Sequence, residues 1–164
     1  MAAPWILRPI RPADDAAIAA TIREVMTEHR CSGEGFAIHD AEVQRMSAHY
    51  AAADTRYFVV EHAREVLGGA GFARLAGSGP DAAICELRKM YFRPQTRGLG
   101  LGRALLELLL DEMRTAGYRR CYLETTSWMQ RAQQLYRRCG FQPLPGAMGA
   151  TGHHGCNAFF ARDL

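Results

Sequence analysis

Hydrophobic and polar positions change their period several times along the chain, and each change marks an element. Trp5, Ile6 and Leu7 run together ahead of Pro9 and Pro12, which predicts a short strand over Trp5–Ile10. Past Asp14 and Asp15 the apolar residues Ile18, Ile22, Val25 and Met26 fall at helical spacing, so a helix is expected as far as Glu28 with one of the two aspartates as its N-cap. Arg30 to His39 carries Gly33 and Gly35 and is expected to be a loop, and Asp40 is placed to cap a second helix reaching about Tyr50. Tyr57–Glu61 and Val66–Leu75 predict a hairpin, and Gly77, Gly79 and Pro80 the turn after it. Ala83–Phe92 predicts a strand, Arg103–Ala116 a helix closed by Gly117, and Cys121–Thr125 a strand. Met129–Cys139 then predicts a helix, and Phe141–Leu144 and Ala158–Asp163 the last strands. Clusters of strands interrupted by helices predict an α/β fold of the α+β kind: a mixed, mostly antiparallel central sheet with helices on both faces.

Composition narrows the classes. The 164 residues suffice for one domain, 1–164, with a sizeable core, and 48% hydrophobic against 23% charged residues is ordinary for a globular protein. A net charge of +3 is too mild to argue for nucleic acid, although it favours an anionic ligand. Arg119, Arg120, Arg131, Arg137 and Arg138 have no aromatic residues interleaved for stacking and are expected on a solvated surface. No apolar run approaches the ~20 residues of a membrane span, and the N-terminus lacks the basic-then-apolar order of a signal peptide. The five cysteines are odd in number and show no C-x-x-C spacing, which points to reduced thiols and a cytoplasmic protein. His153, His154 and Cys156 have no second cluster at ligand spacing, so no metal is expected.

The stretch with the most chemistry in it is Arg97-Gly98-Leu99-Gly100-Leu101-Gly102-Arg103. Between a strand and a helix, such a loop turns successive backbone N–H groups inward as an anion cradle, and the helix aims its positive end at the same spot. The cradle suits a phosphate or pyrophosphate. There is no Gly-Lys pair for a P-loop, and no frame of these glycines satisfies the G-x-G-x-x-G of dinucleotide folds. A second segment, Ala132-Gln133-Gln134-Leu135-Tyr136-Arg137-Arg138-Cys139-Gly140-Phe141, forms a short helix closed by glycine with Ala132, Leu135 and Tyr136 on one face.

The two segments together, Arg-x-x-Gly-x-Gly followed by A-x-x-L-Y-x-x-x-G-F, resemble the markers of the GNAT superfamily of acetyl-CoA-dependent N-acetyltransferases, and the likeness covers nearly the whole chain. It implies transfer of an acetyl group from acetyl-CoA to a primary amine of a small molecule or amino acid by direct attack. The alternatives are a protein or peptide acceptor and a non-catalytic acyl-CoA-binding module. It implies that the strand ending at Phe92 splays from Cys121–Thr125, so that the backbone of Met90, Tyr91 and Phe92 binds the pantetheine arm and Arg97, Gly98, Leu99, Gly100, Leu101, Gly102 and Arg103 the pyrophosphate. A backbone N–H near Met90 would polarise the thioester carbonyl. Arg103 is otherwise a solvated side chain of the first helical turn.

Tyr136 is the expected general acid for the thiolate, its alternative a half-buried aromatic. Glu86 is a candidate base, its alternative an ion pair with Arg88 on the same face or with Arg74 across the hairpin. Glu124 is the second candidate, and an amine that arrives neutral needs no base. Many family members carry asparagine where this chain has Met129, so a contact from Thr126 or Ser127 is expected to stand in. The glycine-rich run from Gly146 to Asn157 is expected to be a mobile lip that offers His153, His154 and Asn157 to the acceptor, its alternative a plain hairpin loop. A strand edge near the C-terminus leaves a homodimer open.

Overall fold

In the computed structural model, which describes residues 3–164, every predicted strand forms with its ends within two residues of expectation. The strands are β1 (Trp5–Pro9), β2 (Arg56–His62), β3 (Glu65–Arg74), β4 (Ile84–Phe92), β5 (Arg120–Thr125), β6 (Gln142–Leu144) and β7 (Ala158–Asp163). They build one seven-stranded sheet in the order β1-β2-β3-β4-β5-β7-β6. Every neighbouring pair is antiparallel except β4 and β5. That parallel pair holds only from Ile84 to Glu86, against Arg120 to Tyr122. Beyond Glu86 the two strands part, and the gap is where the site forms.

The alternation along β2 sorts residues between two cores. Phe58 and Val60 face α3 (Leu101–Thr115) and α4 (Gln130–Arg138), joining Phe72, Leu87, Leu123 and Phe160. Tyr57 and Val59 face the opposite way, towards α1 (Asp15–Glu28) and α2 (Met46–His49). The helices therefore cover both faces, as the sequence predicts. On α3 the buried positions Leu105, Leu106, Leu109, Leu110 and Met113 keep helical spacing. Each such side chain stabilises the fold by roughly 1.5–3 kcal/mol. Among the described residues no helix is long and apolar enough to cross a membrane.

Two local expectations fail. Neither aspartate caps α1 through its side chain. Asp14 accepts from Arg8 Nη1 and Nη2 and from the Arg11 N–H, while the Asp15 carboxylate takes the N–H and hydroxyl of Ser47 and so ties α1 to α2. The predicted helix from Asp40 to Tyr50 is instead a 3₁₀ turn at Ala41–Gln44 and a single α-helical turn at Met46–His49. Arg45 between them has φ −143° and ψ 53°, outside the helical region. Asp40 is spent on Lys89 instead of the helix.

β4 contains the one irregularity that shapes the site. Gly71 pairs with Arg88 and Gly69 with Tyr91, so two β4 residues, Lys89 and Met90, oppose Ala70 alone. In this bulge Lys89 adopts φ +49°, and its carbonyl accepts the Tyr57 hydroxyl at 2.8 Å.

Candidate active site

The gap between β4 and β5 opens into a groove of about 820 Å³. Met90, Tyr91 and Phe92 of β4 form one wall, Met129, Leu135 and Tyr136 the other, and Gly98 and Gly102 lie at its end. Gly98 and Gly100 both have φ +76°, and a Cβ at either would meet nothing within 4 Å. The conformation favours glycine while the space beside the backbone stays open. The first helical bond of α3 runs from the Ala104 N–H to the Gly100 carbonyl at 3.0 Å. The N–H groups from Gly98 to Arg103 have no acceptor among the described residues. An array of free N–H groups at a helix start is an anion site.

The two arginines flanking the loop are each paired with a glutamate. Arg97 grips both Glu28 carboxylate oxygens at 2.6 Å and the Phe92 carbonyl at 3.0 and 3.2 Å. It braces the loop between the ends of α1 and β4. Arg103 pairs with Glu107 at 2.7 Å, one turn on, with two thirds of its side chain exposed (66%). It occupies the solvated alternative. The donors without an acceptor among the described residues are the loop's backbone N–H groups.

Tyr136 is the buried residue of α4 and packs edge-on against Phe141 and, tilted, against Phe160. Its ring borders the groove and also a second, smaller cavity of about 60 Å³ on the side of α1. The hydroxyl has no hydrogen-bond partner among the described residues. Burial raises its pKa above the usual phenol range, so the proton stays on at neutral pH.

Both candidate carboxylates line the smaller cavity. Glu86 is 3% exposed, and its Oε2 accepts Arg88 Nε at 2.7 Å, the same-face pairing that the sequence offered as the alternative. Burial raises the Glu86 pKa, and Arg88 offsets only part of that rise. Glu124 is the opposite case. Burial acts to raise its pKa, but His153, the Tyr122 hydroxyl (2.7 Å) and the Thr151 hydroxyl (2.8 Å) outweigh it and hold the carboxylate below its ordinary range. A carboxylate already accepting on both oxygens is a weak base.

Three residues joined to this cluster were not among the sequence candidates, or were placed differently. Lys89, its side chain 1% exposed, donates to Asp40 at 2.6 Å and lies 2.7 Å from a Glu42 oxygen. Asp40 in turn meets His153 Nε2 at 3.0 Å, and His153 Nδ1 lies 3.6 Å from Glu124. The Asp40 bond and Glu124 push the His153 pKa up to about 9. For Asp40 itself, burial acts upward, but His153 and Lys89 prevail and hold it at about 2. Glu86, Glu124 and His153 bring one potential ligand atom each within 4.8 Å of one another. Within the protein, Arg88 meets Glu86 Oε2, two hydroxyls meet Glu124, and Asp40 meets His153.

The glycine-rich run before β7, the expected lip, is tethered at three backbone N–H groups. Met148 N–H donates to the Tyr122 hydroxyl, Ala150 N–H to the Ala76 carbonyl and Gly155 N–H to the Gly35 carbonyl. Of its expected contacts only His153 reaches the cluster. The His154 ring lies where a Cβ on Gly35 would be, 2.5 Å away, and Asn157 accepts the Ser127 N–H at 2.7 Å. Thr126, the other residue expected to stand in at Met129, does not line the larger groove. Its hydroxyl is buried without a partner among the described residues, and the residue lines the smaller cavity.

A sheet that splays at a bulged strand, with an open anion loop at one end of the gap and a buried tyrosine at the other, defines an acyl-CoA-dependent transferase. Residues 22–141 match the model of the acetyltransferase (GNAT) family, and the chain belongs to that family. It is an acetyl-CoA-dependent N-acetyltransferase. The Escherichia coli K12 protein YjgM, named an uncharacterized N-acetyltransferase, is 39% identical over 160 residues, covering 97% of this chain and 95% of its own. A GNAT-family acetyltransferase from Staphylococcus aureus Mu50 superposes with a TM-score of 0.81 at 17% identity, over 98% of this chain and 99% of that one. A phosphinothricin acetyltransferase from Sinorhizobium meliloti, solved with acetyl-CoA, superposes with a TM-score of 0.78 at 27% identity, over 100% of this chain and 89% of that one.

Proposed function

We propose that this chain, as one domain, acetylates the primary amine of a small molecule or amino acid by direct attack on acetyl-CoA, in the cytoplasm. The observation that carries the proposal is the position of Tyr136, which borders both the cofactor groove and the cavity containing Glu86. Thioester and amine would meet there. The loop from Gly98 to Arg103 would hold the pyrophosphate through its free N–H groups, and the β4 backbone at Met90, Tyr91 and Phe92 the pantetheine amides. A backbone N–H in the bulge near Met90 would face the developing oxyanion.

The acceptor arrives as an ammonium. Of the charged groups lining the smaller cavity, Glu86 has a carboxylate oxygen without a protein donor, and an ammonium can meet it there. Glu86 takes one proton from it, because its raised pKa makes it the better base than Glu124. The freed nitrogen attacks the thioester carbon, the C–S bond breaks, and Tyr136 protonates the departing thiolate. The nitrogen's second proton makes good the phenol, and Glu86 returns its own to solvent.

The small cavity and the tethered segments over it support a compact acceptor in preference to a folded protein. Calorimetry of acetyl-CoA binding, followed by thiol release against a panel of amines, tests the reading. Saturable binding with amine-dependent release is expected. Binding without release from any amine would instead favour an acyl-CoA-binding module.

A further inference from the structure

Glu86 and Arg88 stand two residues apart on the same face of β4, both lining the smaller cavity. Their side chains are 4% and 15% exposed. Arg88 spends Nε on Glu86 and Nη2 on the Arg74 carbonyl at 3.2 Å, and its Nη1 has no acceptor among the described residues. Glu86 likewise uses only Oε2 and leaves Oε1 without a protein donor. The pair therefore presents a negative and a positive hydrogen-bonding edge side by side. A catalytic base gains nothing from a fixed guanidinium, which by itself lowers its proton affinity. Burying such a pair is also weak as a source of stability.

We propose that Arg88 receives the carboxylate of the acceptor while Glu86 receives its ammonium, so that the substrate is a free α-amino acid, a zwitterion. This rests on the acetyltransferase reading above and narrows its acceptor. In an α-amino acid the two charged groups share one carbon, so they lie side by side as the Glu86 and Arg88 edges do. Arg88 can meet a planar carboxylate with two N–H groups. A bound carboxylate also neutralises Arg88, which removes the partner that was weakening Glu86 as a base. The correct substrate thus strengthens the base that activates it. A peptide N-terminus or a lysine side chain has no carboxylate beside its amine and leaves Arg88 Nη1 without an acceptor.

The test needs no variant to begin. Thiol release is measured at saturating acetyl-CoA for the twenty common L-amino acids, for their amides, and for the amines formed by removing the carboxylate. At least one free amino acid is expected to be acetylated with kcat/KM at least tenfold above its amide and its amine. In Arg88→Gln that ratio is expected to fall at least tenfold, through KM for the amino acid. Arg88→Lys, which keeps the charge without the fork, is expected to retain part of the ratio. An acetyl-CoA Kd like that of the unaltered protein shows that each variant is folded. Amides or amines acetylated as well as the amino acids overturn the proposal and leave the acetyltransferase reading standing. So does a ratio unchanged in Arg88→Gln. Release from no free amino acid overturns it too, and the acetyltransferase reading then rests on its own amine panel.

Discussion

A proton donor must hold its proton until the leaving group needs it, and Tyr136 meets that condition because burial raises its pKa. Tyr136→Phe keeps the ring packed on Phe141 and Phe160 and removes only the hydroxyl. We expect kcat to fall by about 10²-fold or more, with an acetyl-CoA Kd within a factor of ~2 in calorimetry. An unchanged kcat would mean that the thiolate leaves unassisted. His153 gives a pH prediction. Folding raises its pKa from 6.5 to about 9, chiefly through the Asp40 bond. The folded state holds that proton more tightly than the unfolded chain does, so this stabilisation is complete below about pH 6.5 and is lost as pH rises through about 9. The melting temperature of the unaltered protein should decline over that window more steeply than that of His153→Gln. Parallel curves would show that the Asp40 pairing adds nothing. Glu86, Arg88 and Tyr136 were legible in the sequence because each sits in a local pattern, a two-residue strand repeat or a helical motif. Asp40 and His153 were not paired in advance, since 113 residues separate them and only the folded sheet brings their loops together.

At the scale of elements, the segment from Asp40 to Gln44 is held less by its own helical tendency than by one cation from β4. Lys89 is the only lysine in the chain. In Lys89→Met, Asp40 and Glu42 would lose their shared counter-charge while remaining partly buried. Removing one partner of a buried pair costs about 3 kcal/mol or more, and urea unfolding measures it. A loss near zero would mean that water reaches both carboxylates. No sequence pattern marks a lysine for burial at positive φ, which is why the 40–50 segment looked like an ordinary capped helix. The glycine loop, by contrast, declares itself, because Gly98 and Gly100 need the left-handed region. Gly100→Asp would put a carboxylate among the N–H groups meant for phosphate, and we expect the acetyl-CoA Kd to rise about tenfold or more. Gly100→Ala brings the same backbone strain without the charge. If the two variants bind alike, conformation and not charge is what the loop supplies.

The whole molecule is a sheet that two separate cores clamp from opposite faces, yet its middle seam, β4 against β5, pairs over only three residues on each strand. Past Glu86 nothing among the described residues completes that seam. The splay was an expectation from family likeness; in three dimensions a bulge at Lys89 and Met90, in the pairing of β4 with β3, follows the last β4–β5 pair at Glu86. Acetyl-CoA lying in the gap would act as the missing strand, its pantetheine amides bonded to β4, with the anion loop of α3 closing one end. Binding should therefore stiffen the seam as well as the loop. At a ligand concentration 100-fold above Kd the native state gains about 2.7 kcal/mol, which for a chain of this size raises the melting temperature by roughly 5–10 °C. Amide exchange should slow in Leu87–Phe92 and at the end of β5 as well as at the start of α3. Tyr136→Phe should show the same shift, because its hydroxyl acts on the leaving group and not on binding, whereas Gly100→Asp, with its Kd raised about tenfold, should show about half of it at that concentration of ligand. Protection confined to the α3 loop, with β4 exchanging as before, would place the cofactor's phosphates correctly but its arm outside the gap, and the meeting point at Tyr136 would be lost with it.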